Sequence, residues 1–358
     1  MNISDKYLFS CDSDFENLRR VLADKKLSGT NDIILEYESH LKDFFNSKYA
    51  VAVSSGTSAI QTALFSVGVR SGDEVIVSPT CPVMTVFPIL YMGAKPVFCD
   101  TCVDNFGLDV VDLEKKISDK TKAVIEVPMW GYPTGVNKLQ EFLKTKEIPL
   151  ILDLAQAHGT IIEDKYLSAF GDISCFSTHD RKILATGEGG FILTNNDYYE
   201  GEARSFIQFG NMDGKLFGLN FKLGALQASV GIGRIEYIQN QLNIRRKNAE
   251  YILAGIKNEK VKEFHIVNGG KPNYYALLLQ LDFEDNGQFI NQLSEKGVPS
   301  DILRYNYKVL YEYPALESLK ETCKNAEALS KKITTIPVHP GLNNSELDYI
   351  VNQINALA

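Results

Sequence analysis

The feature that most constrains the fold is the regular alternation of short apolar runs with helical stretches over the first two-thirds of the chain. Each run is rich in Val, Ile and Leu and has the length of a strand, and the stretches between them carry helix-like apolar spacing. The runs are residues 49–53, 74–78, 95–99, 123–127 and 150–153. Apolar strands separated by helices predict a mainly parallel sheet that is covered on both faces.

The last third of the chain has a different character. Residues 219–256 predict one long helix, with glycines near positions 231 and 233, and a mixed helix and strand pattern follows it. We therefore expect a large α/β domain, residues 1–245, and a smaller α+β domain, residues 246–358, joined through this helix. The length of 358 residues suits two such domains.

Net charge restricts the partners. The chain carries 37 Lys and Arg against 45 Asp and Glu, a formal net charge of -8. Binding to nucleic acid or to an anionic membrane needs a basic surface, so neither is expected, whereas a small anionic ligand needs only local donors. The sequence shows no apolar segment of transmembrane length and no signal-peptide pattern, so we expect a cytoplasmic protein.

The six cysteines and five histidines are scattered along the chain. Cys99 and Cys102 form a CxxC pair, but no second pair or nearby histidine completes a zinc site. We therefore expect reduced thiols and no metal.

A single lysine stands where an ammonium group is hard to accommodate. Lys182 follows the apolar run that ends at Phe176 and precedes a cluster of glycines, Gly187, Gly189 and Gly190. Burial between two strands lowers the pKa of a lysine and frees its amine to attack carbonyl groups. Taken alone, such a lysine is more often a surface residue of a hairpin loop.

Two further segments follow predicted strands, at the sheet edge where open parallel sheets bind ligands. Ser55, Gly56 and Thr57 stand between a strand and a helix, where amides and hydroxyls can hold a phosphate. Asp153 ends the run 150–153, and a buried carboxylate there needs a cation. Each segment, taken alone, also fits an ordinary helix N-cap.

Together, the phosphate-binding turn, Asp153 and Lys182 suit pyridoxal phosphate. The aldehyde of this cofactor takes a lysine as a Schiff base, a carboxylate keeps its pyridine nitrogen protonated, and a loop holds its phosphate. The combination is far more specific than any one of its parts.

The chain resembles the DegT/DnrJ/EryC1/StrS family of sugar aminotransferases, which are fold-type I (aspartate aminotransferase-like) enzymes that use pyridoxal phosphate. The most specific matching segments are residues 53–59, 72–77, 153–159, 182–190 and 218–228. The resemblance implies a homodimeric transaminase. It would move an amino group from L-glutamate to a keto sugar linked to a nucleotide, with the cofactor passing through its pyridoxamine form.

The resemblance also implies a role for each residue of the site. Lys182 would form the internal aldimine and move the proton, Asp153 would pair with the pyridinium nitrogen, and Gln156 would bond the ring hydroxyl. The residues implied for the phosphate are Ser55, Gly56, Thr57 and Ser177, together with Asn220 of the neighbouring subunit.

Three departures from the family pattern leave the acceptor open. Where the family places an aromatic side chain against the cofactor ring, this chain has Cys81 and Pro82, so one of these two is expected to form the wall. Lys222 stands where arginine is commoner and loses a bidentate anion contact. The pair 224–225, Gly-Ala, replaces a more polar one.

The alternatives follow from these departures. One is an aminotransferase for a smaller phosphorylated or cyclic ketone in surface-polysaccharide or secondary-metabolite synthesis. Another is a non-catalytic regulatory protein of the same fold, although binding alone needs no proton-moving lysine. Candidate substrate contacts are Trp130, Arg304, Tyr305, Tyr307 and Lys308, with core packing or a solvated loop as the competing interpretation.

Overall fold

The computed structural model describes residues 1–357, and Ala358, the last residue of the predicted second domain, lies outside them. The strands in chain order are β1 (Tyr49–Val53), β2 (Glu74–Val77), β3 (Lys95–Phe98), β4 (Thr121–Glu126), β5 (Leu150–Asp153), β6 (Ile161–Ile162), β7 (Lys165–Tyr166), β8 (Ile173–Ser177), β9 (Gly190–Thr194), β10 (Val261–Glu263), β11 (Gly270–Lys271), β12 (Leu277–Leu281) and β13 (Ile333–Ile336). The α-helices are α1 (Asp12–Asp24), α2 (Ile33–Phe45), α3 (Gly56–Ser66), α4 (Val83–Tyr91), α5 (Val110–Lys116), α6 (Val136–Thr145), α7 (Asp197–Phe206), α8 (Ala225–Ile235), α9 (Ile238–Gly255), α10 (Asn286–Glu295), α11 (Asp301–Arg304), α12 (Lys324–Ser330) and α13 (Asn344–Ala356).

The central sheet has seven strands in the order β1-β9-β8-β5-β4-β2-β3. Strands β2, β3, β4, β5 and β8 run parallel, and β9 is antiparallel to both of its neighbours. The predicted α/β fold with a mainly parallel sheet is confirmed.

Both faces of this sheet are buried, as its apolar sequence requires. Along β1, Val51 and Val53 pack into one hydrophobic cluster, while Ala50 and Ala52 pack into the other. Successive strand residues point to opposite faces, so a strand buried on both sides is apolar throughout.

The C-terminal part forms its own antiparallel sheet, β10-β12-β13. A small third sheet crosses between the two parts, because Gly270 of β11 pairs with Ile162 of β6. The predicted boundary at residue 245 falls inside α9, which is continuous from Ile238 to Gly255. The division into residues 1–245 and 246–358 stays a prediction.

The expected single helix over residues 219–256 is wrong. Two helices, α8 and α9, occupy its place, and residues 219–224 are not helical. The glycines do not interrupt α8. A Cβ at Gly231 would overlap the ring of Tyr37, and one at Gly233 would overlap the Ser13 hydroxyl, so both glycines allow close helix contact.

Within residues 1–357, none of the helices has both the length and the apolar composition that crossing a membrane requires.

Candidate active site

Strand register gathers the predicted site residues at one edge of the central sheet. Ser177, the last residue of β8, pairs with Gly190, and Gly190 pairs with Val53 at the end of β1. The turn that begins at Ser55 therefore lies against Ser177. In the parallel neighbour of β8, Asp153 is the last residue of β5 and pairs with Cys175. This is the edge where ligands bind in open α/β sheets.

Within residues 1–357, the turn after β1 offers two backbone amides that have no hydrogen-bond partner. Ser55 is the N-cap of α3, and its hydroxyl accepts a hydrogen bond from the Ser58 amide at 3.0 Å. The amides of Gly56 and Thr57, in the first turn, have no partner within the helix and project from its positive end. Ser55 is therefore an N-cap, and the same turn can also bind an anion, mainly through the amides of Gly56 and Thr57.

Position 56 requires glycine because the backbone there lies very close to Ser177 at the end of β8. A Cβ at this position would lie 2.6 Å from the Cβ of Ser177, closer than side chains pack. The Ser177 hydroxyl accepts a long hydrogen bond, 3.4 Å, from the His179 amide. Gly56 and Ser177 thus form one shallow cradle, which any larger residue at position 56 would fill.

Asp153 is held by two donors at the bottom of the site. Its Oδ2 accepts from the Thr85 hydroxyl at 2.7 Å, and its Oδ1 accepts from the Ala155 amide at 3.1 Å. The side chain is buried, and this burial raises the pKa of Asp153 above its usual value, while the two donors and the Lys182 amine pull it down. A buried carboxylate with so little neutralisation is suited to a cationic partner. Sequence reasoning missed Thr85, which lies in the first turn of α4.

Lys182 lies in a tight turn that follows β8. Its amide donates to the His179 carbonyl at 2.8 Å, and its amine lies 5.2 Å from the ring centre of Tyr275. Burial lowers the pKa of Lys182, and the Asp153 carboxylate offsets part of this shift. Among residues 1–357, the amine has no hydrogen-bond partner and no salt bridge. It is therefore an amine of increased nucleophilicity rather than one half of a structural ion pair.

Gln156 lies near the same strand end, with its side-chain carbonyl already used. Its Oε1 accepts from the Trp130 amide at 2.6 Å, so the two N–H groups of its amide remain for a ligand. Trp130 has a left-handed backbone, φ 50°, and the following Gly131 has φ 80°. Trp130 itself is buried and packs edge-on against Tyr307 and Phe106. Core packing thus accounts for its side chain.

The loop after β2 forms one side of the site. Cys81 is buried, and burial, with the Asp153 charge, raises the pKa of its thiol well above the usual range. Pro82, the N-cap of α4, is partly exposed, so it is the better candidate for the ring wall. Tyr307 donates to the Thr80 carbonyl at 2.9 Å and fixes this loop from the C-terminal part.

Asn220, which the sequence predicts to be a site residue, lies at the surface of the single chain. Its side chain is exposed and accepts from the Lys222 amine at 2.6 Å. The segment runs beside the end of β1, where the Ser54 amide donates to the Phe221 carbonyl at 2.8 Å. Large apolar side chains near it are also exposed, namely Phe209, Met212, Leu216 and Phe217.

The residues present fit pyridoxal phosphate. The Gly56–Ser177 cradle and the free amides of α3 suit its phosphate, the buried carboxylate of Asp153 suits a pyridinium, and the free amine of Lys182 suits an aldehyde. The arrangement combines an anion site, a buried anion and a nucleophilic amine along one sheet edge.

Comparison with known proteins agrees with this geometry. The family model described as DegT/DnrJ/EryC1/StrS aminotransferase matches residues 11–355. GDP-perosamine synthase of Escherichia coli O157:H7 is 28% identical over 342 residues, which cover 92% of this chain and 91% of that protein. The dTDP-4-amino-4,6-dideoxy-D-glucose transaminase of Shigella dysenteriae is 26% identical over 349 residues, 95% of this chain and 94% of that protein.

Solved structures share the whole fold. The sugar aminotransferase CalS13 from Micromonospora echinospora superimposes with a TM-score of 0.91 at 22% identity and covers 99% of both chains. Helicobacter pylori PseC, an aminotransferase involved in the biosynthesis of pseudoaminic acid, gives 0.91 at 24% identity, with 99% of this chain and 98% of that chain covered. These likenesses confirm the predicted fold class.

Proposed function

The chain belongs to the DegT/DnrJ/EryC1/StrS aminotransferase family and is an aminotransferase, and on this premise we propose that it uses pyridoxal phosphate to move an amino group from L-glutamate to a keto sugar linked to a nucleotide. The observation that carries the proposal is that one site holds both a buried carboxylate, Asp153, fixed by Thr85, and the amine of Lys182, which has no hydrogen-bond partner within residues 1–357. Relatives that act on nucleotide-linked sugars support the acceptor class, since GDP-perosamine synthase is among them.

Bound pyridoxal phosphate supplies an aldehyde that takes up amines and a ring that stabilises negative charge on the adjoining carbon. The chain's own residues do the rest. Lys182 would hold the aldehyde in the resting enzyme, and its released amine would be the base that moves the proton of the amino-transfer reaction. Its lowered pKa keeps a larger fraction of the amine uncharged and able to accept that proton.

The other residues position the cofactor. Asp153 would hold the proton on the pyridine nitrogen, and the side-chain amide of Gln156 would donate to the ring hydroxyl. The phosphate would be bound by Ser55, Gly56, Thr57 and Ser177, and by Asn220 of the partner subunit. Burial of Asp153 strengthens its attraction to a pyridinium because the local dielectric is low.

We further propose a cytoplasmic homodimer with shared sites. The exposed position of Asn220, beside the exposed Phe209, Met212 and Phe217, supports this arrangement, because a soluble chain rarely leaves such a patch uncovered. Mixing Lys182→Ala and Asn220→Ala chains tests it. A mixed dimer has one site with both defects and one intact site, so activity should recover to about a quarter of wild type. No recovery on subunit exchange would show that each site is complete within one chain.

The function is tested by two half-reactions. Addition of L-glutamate to the yellow enzyme should shift its absorbance to that of pyridoxamine phosphate, and a nucleotide-linked keto sugar should restore it. A bare keto sugar or cyclic ketone is the matched control. Restoration by the cyclic ketone alone would favour the smaller acceptor, a candidate motivated by Pro82 in place of an aromatic wall. A glutamate-induced shift that no keto sugar or ketone reverses would contradict the sugar proposal, and the absence of any shift with glutamate would contradict glutamate as donor.

A further inference from the structure

A cavity of about 40 Å³ lies beside the Lys182 turn, apart from the residues assigned to the cofactor. It is lined by residues of five segments, namely the N-terminal segment 5–7, α9, the residues that precede β12, the turn 299–301 and the segment that follows β13. Tyr275 is its common wall with the candidate active site, because this ring also faces the Lys182 amine. The space holds roughly three water-sized atoms.

Arg245 lines this cavity with a positive charge that forms no salt bridge within residues 1–357. Its side chain is 5% exposed, and its guanidinium donates to the carbonyls of Tyr274, at 3.3 Å, and Tyr275, at 3.1 Å. Its Nε has no hydrogen-bond partner within residues 1–357. Burial lowers the pKa of Arg245 to about 10, which still leaves it charged at neutral pH.

The carboxylates that line the cavity are already paired with other arginines. Asp5 lies 3.0 Å from Arg181 and also pairs with Arg304, and Asp301 lies 3.6 Å from Arg181. Two carboxylates thus face two arginines, and no carboxylate of the described residues forms a salt bridge with Arg245. Removing a charge from water without a counter-ion is unfavourable, and two carbonyl contacts offset only part of this.

We propose that this cavity binds a small monovalent anion, either a halide ion or the carboxylate group of a small acid, through Arg245. The hydroxyls of Ser300 and Thr335 line the same space, and because one of them donates to the other across 3.3 Å, the second is left to donate to the anion. The volume excludes a nucleotide or a sugar. The site is separate from the amino-transfer reaction, and its occupancy is measured without any substrate.

Two measurements on the enzyme loaded with pyridoxal phosphate test the site. Crystals soaked in sodium bromide should show an anomalous peak within about 3.5 Å of the Arg245 guanidinium. At constant ionic strength, replacing gluconate, which is too large for the cavity, by chloride or formate should raise Tm by about 2 °C. A response to formate without one to chloride identifies a carboxylate site, and the reverse identifies a halide site.

Variants separate the site from general salt effects. Arg245→Met should abolish the response to both anions. Arg204→Met should keep it, because Arg204 is a partly buried arginine already neutralised by Glu38, at 2.8 Å, and by Glu200. An equal response in Arg245→Met, or neither a bromide peak nor a shift in wild type, would overturn the proposal. If Arg245→Met does not fold, crystals of the wild-type enzyme decide, through the bromide peak for a halide site and through a formate-soaked map for a carboxylate site.

Discussion

Thr85→Val is the substitution that most sharply tests how the site works. It replaces a hydroxyl by a methyl of nearly the same size and removes the 2.7 Å hydrogen bond to Asp153. A hydrogen bond to a charged group contributes about 1.5–3 kcal/mol. Because burial already raises the pKa of Asp153, losing this donor disfavours its anionic form further and weakens its hold on a pyridinium. If the whole contribution is felt in the transition state, the rate falls by about 10- to 150-fold.

The assay is the single-turnover rate of the glutamate half-reaction, followed by absorbance. Thr85→Ser keeps the hydroxyl and should retain most of the rate. Thr194→Val is the matched control, because the Thr194 hydroxyl is also buried and also donates at 2.7 Å, but to the Asp172 carbonyl away from the site. A Thr85→Val rate within twofold of wild type, or an equal fall in Thr194→Val, would refute the reasoning.

Two further predictions concern packing and pH. Gly56→Ala should weaken cofactor binding about tenfold or more, because the added Cβ would collide with Ser177. Gly201→Ala, which adds a Cβ in open space on α7, is the control and should leave the affinity unchanged. Equal affinities of the two variants in a cofactor titration would contradict this prediction. Burial raises the pKa of Glu126 from 4.5 to about 7, so the folded state keeps this carboxyl protonated at pH values where the unfolded state has lost the proton. The free energy of unfolding is therefore highest below about pH 4.5, and it falls by about 3 kcal/mol as the pH rises to and through 7. Glu126→Gln should remove that loss in denaturant unfolding between about pH 5 and pH 8, and an unchanged pH slope would contradict the assignment.

Much of the site can be predicted from sequence because it follows strand ends. Asp153 ends an apolar run and Ser55 follows another, so topology alone places both at one sheet edge. Thr85 cannot be found in this way. It is 68 residues from Asp153, and only the packing of α4 over the sheet brings the two together. The same holds for Tyr275, which reaches Lys182 from the C-terminal part.

Local sequence also does not predict that α8 and α9 are two separate helices. Glycine in a helix interior is unfavourable, yet Gly231 lies inside α8, where contact with Tyr37 requires it. Tertiary contact thus determines which glycine is helical, and neither the break between α8 and α9 nor the buried Arg245 has a marked local pattern.

The most direct test of the central claim is to find the amine that holds the cofactor. The purified enzyme with pyridoxal phosphate is reduced by borohydride, digested and mapped by mass spectrometry, with and without prior addition of L-glutamate. We expect the label on Lys182, lost when glutamate has first released that amine. A label on another lysine, or one on Lys182 that glutamate leaves unchanged, would contradict the account.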